Sequence, residues 1–121
     1  PAYCSSMGRV LLAALPPARA RDTLKRSERH AHTPRTVTEV EALMKIRGQV
    51  AEQGYAGIDQ ELELGLCSLS VPLLDAGGAV VAAMNVGANS VRTALPAMIE
   101  RTLPLLLKTQ ARLKPLLDSR I

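Results

Sequence analysis

Aromatic side chains are almost missing from this chain: its 121 residues include two Tyr, no Phe and no Trp. A single-stranded nucleic-acid surface needs flat rings on which bases stack, so the composition argues against that class of function. The core must instead be filled by Leu, Val, Ala and Met. Cysteine is as scarce, with Cys4 and Cys67 far apart and at no partner spacing, so neither a disulfide framework nor a zinc site is signalled and a reduced, cytoplasmic setting fits. The only histidines are His30 and His32. No apolar run approaches the length of a membrane span, and the first residues lack the apolar core of a signal peptide. There is no internal repeat and no low-complexity tract. The opening Pro1-Ala2-Tyr3 has no initiator Met, which is the expectation for a fragment.

What is present suits one soluble unit. An apolar content of 47% is enough for a single core, and a charged content of 21% is ordinary. The net charge of +4 comes from two basic groups, Arg19 to Arg35 and Arg101 to Arg120. Asp22 and Glu28 interrupt the first, so it reads as a solvated helix face and loop rather than a track for phosphates.

Apolar spacing divides the chain. Ser5-Ser6 ahead of Met7-Gly8-Arg9-Val10-Leu11-Leu12 reads as a capped helix that Pro16-Pro17 stops, and Pro17 suits the first turn of a second helix reaching Arg26. Residues 27–37 are polar, contain Pro34 and show no periodicity, as in a surface loop. Thr38 and Glu41 have the spacing of a capping box, and Val40, Leu43, Met44, Ile46 and Val50 share one side of the helix that follows. Gly54 falls where a left-handed cap would end it. Strands are expected at 55–59, 66–74 and 79–86, the last two joined by the glycine turn Asp75-Ala76-Gly77-Gly78. A loop at 87–90 then leads to a long amphipathic helix with the stripe Leu95, Met98, Ile99, Thr102, Leu106 and Leu113, which Pro104 should bend. Helices followed by a meander and a last helix predict an α+β domain with an antiparallel sheet.

The hairpin carries the functional signal. Alternation places Ser68, Ser70 and Pro72 on one face, opposite Cys67, Leu69, Val71 and Leu73, and it places Ala83, Asn85 and Gly87 together, opposite Val80, Ala82, Met84 and Val86. A face of Ser, Ser, Ala, Asn and Gly leaves space and offers hydrogen bonds to a guest. The start of the first helix adds backbone amides, a positive dipole end and a glycine, a combination suited to a carboxylate or phosphate, although an ordinary N-cap is the simpler account. Arg9 either pairs with an anion there or faces solvent, with solvent favoured. Asp59, Glu61 and Glu63 supply carboxylates for acid–base or cation chemistry, but their spacing is not that of a calcium loop, and a solvated turn explains them more simply. His30 and His32 lack a companion ligand for a metal. Cys67, Ser68 and Ser70 sit within a strand without a nucleophile elbow or a nearby His, which argues against acyl transfer, and Gly77-Gly78 is a turn rather than a phosphate loop.

Taken together, P-A-Y-C-S-S-M-G-R-V-L-L-A at residues 1–13, G-Y-A at 54–56, D-Q-E-L-E-L-G at 59–65, S-x-S-V-P-L at 68–73 and A-A-M-N-V at 82–86 resemble the effector-binding domain of the IclR family of bacterial transcriptional regulators. The wording is most similar to the branch controlling aromatic-acid catabolism through the β-ketoadipate route. The resemblance implies a GAF-like α+β domain whose curved antiparallel sheet holds a small organic or aromatic acid, without cofactor, metal or catalysis. It implies effector contacts from Ser6, Met7, Gly8, Ile58, Asp59, Ser68, Ser70, Asn85 and Gly87. Many relatives carry Asp or Asn where Ile58 stands, which hints at a more apolar guest. It further implies that the DNA-binding domain and first strands of the effector domain precede this chain, that operator DNA is reached only through that missing domain, that the intact regulator is a homodimer or homotetramer, and that membranes play no part. Two other readings stay open: a small enzyme using Asp59 or Glu61 as a base, and an oligomerisation module whose pocket is filled by side chains.

Overall fold

The computed structural model describes residues 1–117. Four α-helices, α1 (Ser6–Ala14), α2 (Pro17–Arg26), α3 (Val40–Gln53) and α4 (Leu95–Leu113), accompany an antiparallel sheet of β1 (Ala56–Asp59), β2 (Leu66–Leu74) and β3 (Val80–Asn89) in the order β1-β2-β3. This is the expected α+β arrangement.

The helices begin and end for local reasons. Ser5 caps α1 by accepting the Gly8 amide at 3.0 Å, and Pro17 starts α2 at a position whose N–H would have no partner within the helix. Gly54 closes α3 in the left-handed region at φ 85°, which a residue with a Cβ adopts only with strain. The capping box expected from Thr38 and Glu41 does not form. The N-cap is Glu39 without a side-chain bond, one residue past Thr38, so Glu41 falls at the second helical position rather than the third, and its carboxylate pairs with Arg21 on α2.

Strand alternation sorts the sheet into two faces. Cys67, Leu69 and Val71 point to one side and are fully buried with Met98 and Leu106 of α4, where Met84, Val86, Leu95, Ile99 and Leu103 complete the cluster. Pro104 lies inside α4, and Gln110 from its later part donates to the Pro72 carbonyl at 2.7 Å. The opposite face receives α1 and α3 through Val10, Val50, Ala56, Ile46 and Ala83. A third cluster of Tyr3, Cys4, Leu12, Ala20, Leu24 and Leu43 joins the first residues to α1, α2 and α3.

Two features of the hairpin differ from expectation. β3 continues through Gly87, Ala88 and Asn89, because Leu66, Cys67 and Ser68 keep pairing with them where a loop was expected. A register shift between Leu73 and Leu74 sets Leu73 against Ala82 but Leu74 against Val80, so Val81 is the extra residue and Val80 turns to the face opposite Ala82. At the turn, Asp75 accepts the Gly78 amide on its carbonyl and the Ala79 amide on its side chain, both at 2.9 Å, and Gly78 takes φ 90°. Leu69 lies in the cluster under α4 with no exposed surface, and Leu69→Ala is expected to lower unfolding free energy by about 2–5 kcal/mol in urea titrations, through lost transfer energy and a residual cavity.

Candidate effector-binding site

The face of the sheet that looks toward α1 encloses a cavity of about 210 Å³ between the start of that helix and the lower parts of β2 and β3. Its floor comes from Ser68 on β2 and Asn85 and Gly87 on β3, one wall from Ile58 on β1, another from Ser6 and Met7 on α1. These are six of the nine residues singled out from sequence. Cys4, Ser5, Leu62 and Leu66 also line it; alternation within the hairpin alone carried no signal for them, because three lie in loops and Leu66 opens a strand.

The other three lie elsewhere. Gly8 packs inward: a Cβ on it would stand 2.3 Å from the Ala2 Cα and 2.7 Å from Ser5 Oγ, so its glycine serves the close approach of the first residues rather than that of a guest. Asp59 is paired in register with Cys67 on the α4 side of the sheet, and its carboxylate meets Arg35 at 2.9 Å. Ser70 has no exposed surface and lies behind Ser6, with the two hydroxyl oxygens 2.6 Å apart. Ser68 completes the cluster by donating to Ser6 Oγ at 2.9 Å. Three hydroxyls thus join the first turn of α1 to the middle of β2.

Helix α1 brings a positive end to the cavity. Ser5 takes the Gly8 amide on its hydroxyl and the Arg9 amide on its carbonyl, which leaves those of Ser6 and Met7 as the remaining donors of the first turn. Among the described residues no cationic side chain lines the space. Arg9, for which solvent was favoured, is 5% exposed and forms a two-pronged pair with Glu61, Nη1 to Oε2 at 2.8 Å and Nη2 to Oε1 at 2.7 Å, while Nε donates to the Tyr3 carbonyl. Glu61 is therefore not part of a solvated turn. Its Oε1 also accepts the Val37 amide at 3.0 Å, Thr36 Oγ1 donates to its carbonyl, and Thr33 Oγ1 donates to the Gln60 carbonyl at 2.6 Å. Gln60 itself takes φ 61° and accepts the Gly65 amide on its side chain, shaping the loop from which Leu62 and Leu66 reach the cavity. Neither carboxylate considered as a base stands free in the cavity: Asp59 lies on the α4 side of the sheet with Arg35, and Glu61 is engaged by the Arg9 guanidinium and the Val37 amide. The histidine rings also have partners, His30 Nε2 standing 3.1 Å from Glu28 Oε2 and His32 Nε2 3.0 Å from Tyr3 Oη, whose hydroxyl donates to the His30 carbonyl. Among the described residues no cluster of His, Cys, Asp or Glu is arranged to hold a metal.

Beside the far end of α1 lies a second recess of about 150 Å³, walled by Val10, Ala13, Val50, Pro72 and Val80 and offering no side-chain hydrogen bond. Polar and apolar hollows are thus separated along one helix.

The family model described as bacterial transcriptional regulator IclR C-terminal matches residues 1–113. The chain belongs to this family. It is 46% identical over 107 residues to the Pca regulon regulatory protein of Pseudomonas putida, a match covering 88% of this chain and 37% of that protein. It is 31% identical over 116 residues to the p-hydroxybenzoate hydroxylase transcriptional activator of Acinetobacter baylyi, covering 96% of this chain and 43% of that one. The chain thus spans less than half the length of either regulator. Among solved structures, a double mutant of the inducer-binding domain of PobR from Acinetobacter, in complex with 3-hydroxybenzoic acid, superposes with a TM-score of 0.93 at 30% identity, over 97% of this chain and 67% of that one. The C-terminal domain of KdgR from Escherichia coli superposes with a TM-score of 0.80 at 34% identity, over 93% of this chain and 67% of that one.

Two measurements check the electrostatics of this region. Glu61→Gln leaves the Arg9 charge buried without its partner, and a loss of about 3–5 kcal/mol in chemical unfolding is expected, far more than an exposed pair such as Arg26 with Asp22 would show. Burial pushes the Cys4 and Cys67 thiols above their ordinary 9.0 and the Tyr3 phenol above 10.0. For each the neutral form is favoured in the folded state, so the contribution is whole below the unfolded value and is lost as pH rises past about 9. Denaturation midpoints are expected to fall between pH 7.5 and 10, with a smaller fall in Cys67→Ala.

Proposed function

We propose that this chain is the ligand-sensing part of a cytoplasmic transcriptional regulator and that the cavity takes a small aromatic acid of the hydroxybenzoate class. The observation that carries the reading is the composition of the cavity: apolar walls from Ile58, Leu62 and Leu66, with polar groups confined to the α1 start, Ser68 and Asn85. Its size supports a single ring bearing small substituents, since an apolar cavity of about 150 Å³ holds benzene. A carboxylate fits at Ser6 and Met7, where helix amides and the helix dipole favour negative charge, and the ring lies toward Ile58 and Leu62. The likeness to a PobR domain complexed with 3-hydroxybenzoic acid agrees in ligand class. Ile58 suits an apolar ring better than a polyhydroxylated guest.

In this reading residues 1–121 are an effector-binding domain truncated on its N-terminal side, and operator contacts belong to a separate DNA-binding domain. Binding acts by differential affinity for two arrangements of subunits in a dimer or tetramer. No helix among the described residues is long and apolar enough to cross a membrane. The cavity beside Ser68 and Asn85 favours this reading over an oligomerisation module whose pocket is filled by side chains.

Thermal melting with 3-hydroxybenzoate, 4-hydroxybenzoate and benzamide tests the assignment. The acids are expected to raise the midpoint, by about 2.7 kcal/mol of stabilisation at a concentration one hundred times Kd, and benzamide to raise it less. Ser68→Leu and Asn85→Leu are expected to remove the rise while the unliganded melt persists. Unchanged affinity in both variants, or no shift with either acid, would refute it.

A further inference from the structure

The serine cluster contains one more hydroxyl proton than it has contacts between its oxygens. Ser6, Ser68 and Ser70 carry three hydroxyl protons, and their oxygens make two contacts: Ser68 donates to Ser6 at 2.9 Å, and Ser6 and Ser70 share a bond of 2.6 Å. One proton on Ser6 or Ser70 is therefore left over. If Ser6 donates to Ser70, the surplus proton belongs to Ser70, which has no exposed surface and no hydrogen-bond partner other than Ser6 among the described residues. A buried hydroxyl proton without an acceptor carries the full desolvation penalty of that group. If Ser70 donates instead, both lone pairs of Ser6 are filled by its neighbours and the proton of Ser6 is the surplus one. Ser6 is 2% exposed and lines the cavity, whereas Ser70 does not.

We propose that Ser70 and Ser68 both donate to Ser6, and that the Ser6 hydroxyl is in turn a donor aimed into the cavity, making Ser6 the residue that selects an ionised acid over its neutral analogues. This deepens the assignment of the cavity to an acid. Two donors filling the Ser6 oxygen also polarise its O–H bond, so its affinity for an anionic oxygen exceeds that of an isolated hydroxyl. The cavity lining holds no cation that could dominate the choice, since Arg9 is engaged by Glu61. Discrimination between a carboxylate and a carboxamide then falls to donors alone: the Ser6 hydroxyl, the Ser6 and Met7 amides and the Asn85 side chain. A carboxylate accepts from all of these with either oxygen, while a carboxamide turns an N–H toward some of them.

Neutron diffraction from the deuterium-exchanged protein reads the protons directly, whatever the ligand. The Ser70 deuteron is expected on the line to Ser6 Oγ and the Ser6 deuteron directed into the cavity; a Ser6 deuteron on the line to Ser70 overturns the proposal. Affinity for 3-hydroxybenzoate and 3-hydroxybenzamide gives the second arm. Ser6→Ala is expected to weaken the acid by about ten- to a hundredfold and the amide by much less, with Ser6→Gly giving the same loss should the alanine variant fold poorly. Ser70→Ala removes one of the two donors that polarise the Ser6 hydroxyl and is expected to weaken the acid by a few-fold, less than Ser6→Ala does. A several-fold gain in Ser70→Ala would mean that Ser70 had been occupying the Ser6 proton, and overturns the proposal, as does an unaltered Kd in both Ser6 variants. Wild-type protein that ignores the acid, with the Ser6 deuteron still in the cavity, overturns the acid reading and upholds the donor.

Discussion

The buried pair of Arg9 and Glu61 holds the cavity in shape. Its partners lie 52 residues apart, one in the second turn of α1 and the other in the loop between β1 and β2. Both are nearly excluded from water, with side-chain exposures of 5% and 11%, so neither tolerates the loss of the other. Around them gather the Tyr3 carbonyl, the Val37 amide and the hydroxyl of Thr36, which bind the opening segment and the long irregular stretch after α2 into one strap. The helix start and the loop bearing Leu62 and Leu66 are thereby set at a fixed separation, and that separation is the width of the hollow.

The sheet divides its labour by face. One side of β2 is given wholly to Cys67, Leu69 and Val71 under α4, where packing is complete. The other side carries residues too small to fill the gap to α1, and the hydroxyl contacts of Ser6 with Ser68 and Ser70 tie the helix down at one point while leaving room beside it. Slippage by a single residue would exchange these faces, and the shift at Leu73 and Leu74 confines such an exchange to the far end of the hairpin, where Val80 turns inward to line the apolar recess.

Much of this was legible from spacing alone. Period-two alternation separated Ser68, Asn85 and Gly87 from the aliphatic face correctly, and helix signals at Ser5, Pro17 and Gly54 are local rules obeyed locally. The misreadings at Arg9 and Glu61 involve partners distant in sequence. Arg9 looked solvent-bound because nothing near it is acidic, and Glu61 looked like a turn residue because its neighbours are charged. Asp59 was grouped with Ile58, although adjacent strand residues face opposite ways, and Gly8 was read as room for a ligand when it is room for Ala2. Thr38 and Glu41 had the spacing of a cap, but the helix begins one residue later, behind Glu39, and Glu41 pairs instead with Arg21. The bulge left no sequence mark, since Val80-Val81-Ala82 is apolar throughout and has no alternation for an extra residue to interrupt.

Gly8 has a wider consequence than its size suggests. With no side chain between them, the backbone of Ala2 rests directly on the first turn of α1, and Tyr3 and Cys4 beyond it are sealed in the core, Cys4 also forming part of the cavity wall. No compressible layer separates the guest's surroundings from the opening peptide. A displacement of the helix tip therefore meets the Ala2 backbone directly, with no flexible side chain between the two to absorb it.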